Sequence, residues 1–98
     1  MPGFDRMHFL FTGILEVIRD EEDKPIDVKA KFRAASVRTP DTWSDPYLES
    51  PADIHDLLTK NTHKRTTPHS RAHLETAFHE IMDERAKLGL PELNLKIT

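Results

Sequence analysis

Two histidines spaced four residues apart are the first feature of this sequence that could do chemistry. His69 and His73 would lie on one face of a helix, where their imidazole rings could bind one metal ion, and His63 could supply a third ligand. A His-x-x-x-His pair without a defined third ligand is a weak signal for a metal site. A metal-dependent enzyme centred on His69 and His73 is therefore the least favoured of three hypotheses, and the sequence predicts neither a metal site nor a cofactor.

Other catalytic patterns are incomplete. Residues 79–83 read His-Glu-Ile-Met-Asp, which resembles the His-Glu-x-x-His pattern of metalloproteases, but Asp83 stands where the second histidine belongs. The three glycines lie too far apart to form a phosphate-binding loop, and the chain has no cysteine to act as a nucleophile. No spacing links a nucleophile, a base and an orienting group, so we expect a protein that is not an enzyme.

A basic segment leads into the last predicted helix. Residues 60–74 contain no acid, whereas residues 39–59 contain five acids and neither lysine nor arginine. The segment ends at a helix N-terminus, where backbone N–H groups and the helix dipole favour an anion. Either the basic segment compensates the charge of the acidic residues of its own chain, or it binds an external anion such as a phosphate backbone or an acidic protein. Its candidate binding residues are Lys60, His63, Lys64, Arg65, His69, Arg71 and His73.

A second basic row occupies alternate positions of a predicted strand, at Lys29, Lys31 and Arg33. A sheet face that carries such a row can follow a line of phosphates. This gives the second hypothesis, a nucleic-acid-binding protein that uses the basic segment 60–73 and the strand face 29–33. The net charge of −3 and the lack of an aromatic platform beside the row weaken that hypothesis.

The element that must position these side chains is a β-hairpin over residues 7–37. Apolar and polar residues alternate from Ile26 to Ala34, which is the period-2 pattern of a half-buried strand. The predicted register pairs Arg19 with Ile26, Val17 with Val28, Glu16 with Lys29, Leu15 with Ala30, Gly13 with Phe32, and Phe11 with Ala34. One face of this hairpin is expected to bury the helices, through Phe11, Leu15, Val17, Val28, Ala30 and Phe32.

The other face carries three large aliphatic side chains, Leu10, Ile14 and Ile18, beside the basic row. Either a helix or the N-terminal residues cover them, or they form a surface for a second copy or another protein. The loop at residues 39–50 leaves a similar choice for Trp43 and Tyr47. These aromatic residues either plug the edge of the core or remain exposed as anchors for a partner.

Two helices are predicted after this loop, at residues 51–60 and 68–88. Ser50 and Thr67 are the expected N-caps, and each precedes a proline at the first helical position. Gly89 is expected to end the second helix in a left-handed conformation.

A third strand is predicted at residues 92–98, where leucine and isoleucine alternate with polar residues and where pairing with one edge of the hairpin would be possible. The whole chain is then a single α+β domain over residues 1–98. Its elements follow the order β-β-α-α-β, with a small sheet packed against two helices.

The overall composition points to a small cytoplasmic protein without membrane contact. No apolar run approaches the roughly 20 residues of a membrane span, no signal peptide is recognisable, and the absence of cysteine fits a reducing compartment. The leading hypothesis is a non-enzymatic regulator, inhibitor or accessory protein that binds another protein and forms a homodimer. The residues expected to make these contacts are Leu10, Ile14, Ile18, Trp43 and Tyr47.

Overall fold

The protein combines one antiparallel sheet with two helices. The computed structural model describes residues 6–60 and 66–97 of the chain. Its elements, in chain order, are strands β1 (Met7–Arg19), β2 (Pro25–Ser36) and β3 (Tyr47–Glu49) and helices α1 (Pro51–Thr59) and α2 (Pro68–Lys87). Strand β2 lies between β1 and β3. The predicted α+β class, with an N-terminal hairpin and two helices, is confirmed.

The hairpin has the predicted register in its half nearest the turn. Three predicted pairs are present, namely Val17–Val28, Glu16–Lys29 and Leu15–Ala30. Three others are wrong: Arg19 faces Pro25 instead of Ile26, Phe11 faces Phe32 instead of Ala34, and Gly13 has no residue opposite it in the ladder. The pairing shifts at both ends of the matched region, because β1 contains two extra residues at one end and β2 contains one extra residue, Ile26, at the other.

A bulge in β1 causes the larger shift. Three residues separate Phe11 from Leu15, whereas Lys31 alone separates their partners on β2. Gly13, in the middle of the bulge, has a φ of 85°, a conformation that glycine adopts more readily than other residues. The Thr12 hydroxyl donates to the Lys31 carbonyl at 2.8 Å and holds the bulge against β2. Because the bulge adds two residues, an even number, the side chains beyond it keep their expected faces.

Both helices pack on the same face of the sheet. The most deeply buried large side chains are Val28 and Phe32 of β2, Ile54 of α1, and Leu74 and Ile81 of α2. On β1, the half-buried residues Phe11, Leu15 and Val17 pack against this cluster. This is the face that the hairpin pattern assigns to the core.

The predicted C-terminal strand at 92–98 is wrong for the residues that the structure describes there. Residues 91–97 contain no strand, and the third strand is β3, within the segment predicted as the loop 39–50. Leu95 and Ile97 pack against the core, and His55 Nε2 hydrogen-bonds the Lys96 carbonyl at 2.9 Å. The alternating pattern therefore reflects an extended segment with one side buried on the rest of the domain, and such a segment needs no neighbouring strand.

The helices begin at the predicted caps. Ser50 Oγ accepts the Asp53 N–H at 3.1 Å, and Thr67 Oγ1 accepts the Ser70 N–H at 3.1 Å. The helices end at Thr59 and Lys87, each one residue before the end predicted from the sequence. Helix ends often differ by one residue between assignments, and Gly89 follows α2 with a φ of 73°, as predicted.

Helix α2 crosses the sheet diagonally. Near its start, the Ser70 hydroxyl accepts the Phe9 N–H of β1 at 2.8 Å. Near its end, Arg85 Nη1 contacts Asp27 Oδ1 of β2 at 2.7 Å. The helix therefore covers the free edge of β1 at one end of the sheet and leaves that edge before the hairpin turn.

Candidate functional site

The outer face of the sheet, on the side away from the helices, is the main candidate surface. We use this name for Leu10, Ile14, Glu16 and Ile18 of β1, Lys29, Lys31 and Arg33 of β2, and Leu48 of β3. The helices pack on the opposite side of the sheet, against the core cluster of buried residues. Ile14 is 53% exposed, and Leu10 and Ile18 are half-buried. The three predicted aliphatic residues thus share one surface with the predicted basic row.

The basic row runs along the central strand of this outer face. Lys29 lies opposite Glu16 on β1, and Lys31 lies opposite Leu48 on β3. Neither lysine forms an ion pair with any residue that the structure describes. Arg33 Nε donates to the Ser44 carbonyl at 2.9 Å, which holds the guanidinium beside the 42–46 segment. The outer face therefore combines aliphatic side chains on β1 with two lysines on β2 that have no ion-pair partner in the described chain.

The two loop aromatic residues have different positions. Tyr47 belongs to β3, lies opposite Phe32 and packs against the core. Burial, together with the charge of Glu49, raises the pKa of Tyr47 above its ordinary value, so the phenol remains protonated at neutral pH. Trp43 is 36% exposed and lies near His8, with ring centroids 6.3 Å apart. Tyr47 thus plugs the core edge, whereas Trp43 borders the end of the outer face.

Two basic side chains of the segment 60–73, Lys60 and Arg71, lie near the C-terminal end of α1. Lys60 Nζ contacts Asp56 Oδ1 at 3.4 Å, and both side chains are largely exposed. Arg71 Nη1 donates to the Leu58 carbonyl at 3.0 Å, near the C-terminal end of α1. His63, Lys64 and Arg65 lie outside the described residues. The described basic side chains therefore make contacts within the chain itself.

His69 and His73 lie next to each other, with ring centroids 5.0 Å apart in an edge-to-face arrangement. His73 Nδ1 accepts the Phe11 N–H at 3.2 Å, so this nitrogen is engaged with the edge of β1. Burial, and then the neighbouring His69, lowers the pKa of His73 and favours the neutral ring that this bond requires. Among the described residues, no three His, Asp or Glu side chains are placed to hold a metal ion.

An ion pair that the sequence pattern did not predict joins Arg85 and Asp27. Arg85 is only 6% exposed, its Nη1 binds Asp27 Oδ1 at 2.7 Å, and its Nη2 donates to the Pro91 carbonyl at 3.0 Å. The residue occupies a position on the apolar stripe of α2, and a charged residue on such a stripe is a recognisable sign of a buried ionic contact. This pair ties α2 to both the sheet and the C-terminal segment.

Comparison with known proteins adds no assignment. Neither helix of the described chain is both long enough and apolar enough to cross a membrane. No protein-family model matches the sequence, and the searches of curated proteins and of solved structures found no significant match.

Proposed function

We propose that this chain is a non-enzymatic binding protein whose outer face contacts an acidic surface of another protein. The observation that carries this proposal is a sheet face, opposite the helices, on which the exposed Ile14 and the half-buried Leu10 and Ile18 adjoin lysines without an ion-pair partner in the described chain. Ile14 is 53% exposed, and Lys29 and Lys31 have no ion-pair partner within the described ranges. Clustered apolar side chains favour a protein partner, and the adjacent positive charge favours an acidic one. A cytoplasmic location, expected from the cysteine-free sequence, remains part of this proposal.

A matched pair of variants tests the role of the outer face. The face variant combines Ile14→Ser with Lys31→Glu. The control combines Ile26→Ser with Lys87→Glu, because Ile26 is also 53% exposed and Lys87 is exposed on α2. We expect the immobilised wild type and the control to capture the same acidic protein from a lysate of the native source, and the face variant to lose it. Equal capture by all three proteins would rule out this use of the face.

Nucleic acid is the second candidate partner, and it is favoured by the two lysines of the basic row that have no ion-pair partner in the described ranges. Three phosphate contacts would give a slope of about −2 to −3 in a plot of log affinity against log salt concentration. Binding to a single-stranded oligonucleotide should then weaken when Lys29 and Lys31 are both changed to glutamine. This alternative fails if no binding is detected at 50 mM salt, or if the double variant binds as tightly as the wild type.

A further inference from the structure

The free edge of β1 is divided into a capped half and an open half. In the capped half, the Phe9 N–H donates to Ser70 Oγ at 2.8 Å and the Phe11 N–H donates to His73 Nδ1 at 3.2 Å. Both N–H groups therefore point away from β2 and towards α2. The open half comprises residues 15–19, beyond the point at which the helix leaves this edge.

The pairing register shows where the backbone groups of the open half point. Opposed residues of antiparallel strands alternate between pairs that exchange hydrogen bonds and pairs whose backbone groups point away from each other. Phe11 faces Phe32, Leu15 faces Ala30 and Val17 faces Val28. The Phe11 N–H donates to His73 and points away from β2, so the Phe11–Phe32 pair belongs to the second kind. The partners of Leu15 and Val17 follow Phe32 at intervals of two residues on β2, so their pairs belong to the same kind.

Leu15 and Val17 therefore present their N–H and C=O groups at the free edge of β1, within the plane of the sheet. No residue in the described ranges 6–60 and 66–97 bonds to these groups. An open edge with apolar side chains readily pairs with another strand.

We propose that the open half of β1 pairs with the same segment of a second copy, antiparallel about a twofold axis at Val17. The product is a homodimer whose two three-stranded sheets join into one. Each copy would provide the same outward-pointing groups, as a twofold interface requires.

Charges along the strand select the position of the axis. An axis at Glu16 would oppose two glutamates, and an axis at Arg19 would oppose two arginines. An axis at Ile18 would oppose Glu16 and Asp20. Like charges directly opposite each other destabilise a strand pair, so each of these three registers is disfavoured.

Two registers remain, and the capped half removes one of them. An axis at Leu15 would need the backbone groups of Phe11, whose N–H is already bound to His73. An axis at Val17 places Leu15 opposite Arg19 of the second copy, and Glu16 opposite Ile18 of the second copy. This register opposes no like charges and uses only the open half.

The same register brings the hairpin turn of each copy beside α2 of the other. The turn reads Asp-Glu-Glu-Asp at residues 20–23. When the register is extended past Arg19, these residues of one copy lie beside residues 14–11 of the second copy. At that position a groove of about 330 Å³ is lined by Phe11, Gly13, His69, Ala72, His73, Thr76 and Glu80.

This groove has donors for the acidic turn. His73 Nδ1 accepts the Phe11 N–H, so the Nε2–H of His73 can donate to a carboxylate. His69, which also lines the groove, provides a second imidazole that can donate. Both lie in the N-terminal half of α2, towards the positive end of the helix dipole. Glu80 is the single acid among the lining residues, so the contact is complementary in charge overall.

Single cysteines test the register, because the chain has none of its own. At the proposed axis, Val17→Cys would place two cysteines opposite each other. Their Cα atoms would be about 5.5 Å apart, which is within disulfide range. In a dimer of the Leu15→Cys variant, the two cysteines would lie four positions apart along the paired strands, about 13 Å, and should not cross-link. A mixture of Leu15→Cys and Arg19→Cys proteins should instead form a mixed disulfide. Equal cross-linking of Val17→Cys and Leu15→Cys, or none in any sample, would overturn the proposal.

Sedimentation velocity tests the charge contact. Glu21 and Glu22 are exposed, and their side chains form no hydrogen bond or ion pair with the described residues. Changing both to glutamine should weaken the dimer about fivefold, whereas a control with Asp83→Asn and Glu92→Gln should associate like the wild type. A wild-type protein that stays monomeric at 100 µM, or a double glutamine variant that dimerises as tightly as the wild type, would contradict the proposed dimer. This inference concerns the edge of β1 and needs no partner protein, so it can fail without affecting the proposed function.

Discussion

At the scale of single residues, the contact between Arg85 and Asp27 should be the most sensitive to substitution. Arg85 is 6% exposed, and its Nε has no hydrogen-bond partner in the described chain. Changing Asp27 to Asn would leave a buried guanidinium without its counter-charge. We expect the free energy of unfolding to fall by about 2–4 kcal/mol, less than for a fully buried pair because the Asp27 side chain is 31% exposed. Urea denaturation at pH 7 measures this loss.

A double-mutant cycle identifies the cause of that loss. Arg85→Met removes the charge and keeps an apolar side chain on the α2 stripe. If the pair itself is responsible, combining Asp27→Asn with Arg85→Met should destabilise the protein by less than the sum of the two single changes. Strict additivity would mean that the two side chains act independently and that the contact contributes little.

His73 should make stability depend on pH. Burial lowers the pKa of His73, so its proton binds less tightly in the folded than in the unfolded chain. Stability from this residue is then fully present above the unfolded value of about 6.5 and is lost as pH falls from there through the folded pKa. Thermal denaturation between pH 7.5 and 5 should show this decline.

His73→Gln separates this effect from the other histidines. An amide oxygen can accept the Phe11 N–H at every pH, so the variant should lose less stability than the wild type between pH 7.5 and 5. Identical pH profiles for the two proteins would show that His73 does not control the transition.

The residues that control these two predictions differ in how readily a sequence reveals them. A charged residue on an apolar helical stripe, such as Arg85, can be identified from spacing alone. The role of His73 could not be found in this way, because its partner is a backbone N–H that lies 62 positions earlier in the chain. Backbone groups carry no sequence pattern, so contacts that cap a strand edge depend on the packing of the helix.

At the scale of elements, the bulge in β1 depends on glycine. Gly13 has a φ of 85°, and an added Cβ would have no atom within 4 Å. Gly13→Ala should therefore cost only backbone strain, about 1 kcal/mol. Gly89→Ala provides a matched comparison, because its φ is 73° and its surroundings are equally open. Both variants should lower the denaturation midpoint by similar amounts, and a neutral Gly13→Ala would mean that the bulge relaxes without strain.

The elements show which parts of a fold a sequence can predict. Alternation located the hairpin and its buried face, and the Ser50–Pro51 and Thr67–Pro68 pairs located both helix starts. The bulge could not be predicted, since an even insertion leaves the same alternation as a regular strand. The C-terminal segment could not be distinguished from a strand either, because Leu95 and Ile97 alternate on the core in the way that strand residues do.

At the scale of the whole molecule, the hairpin sets the shape. The molecule measures 49 × 29 × 20 Å, and its Cα radius of gyration is 14.3 Å, larger than the roughly 12.6 Å typical of a compact chain of this length. A dimer joined at Val17 would overlap only near the two turns, and its paired β1 strands would span about 66 Å. Small-angle scattering should therefore show a maximum dimension well above 66 Å as concentration rises. A dimer formed by stacked outer faces would stay close to the length of one copy.

The caps on β1 also decide how the protein should behave in acid. Ser70 and His73 keep the first half of a 13-residue strand from presenting its backbone to other molecules. When His73 takes up a proton, its cap is lost, and the uncapped edge grows towards the N-terminus of the strand. Acidification from neutral pH also brings the protein towards its isoelectric point of about 6.0, where charge repulsion between molecules is weakest. Mild acid should therefore convert limited pairing at the hairpin turn into open-ended aggregation along the strand, and storage or purification is best carried out above pH 7.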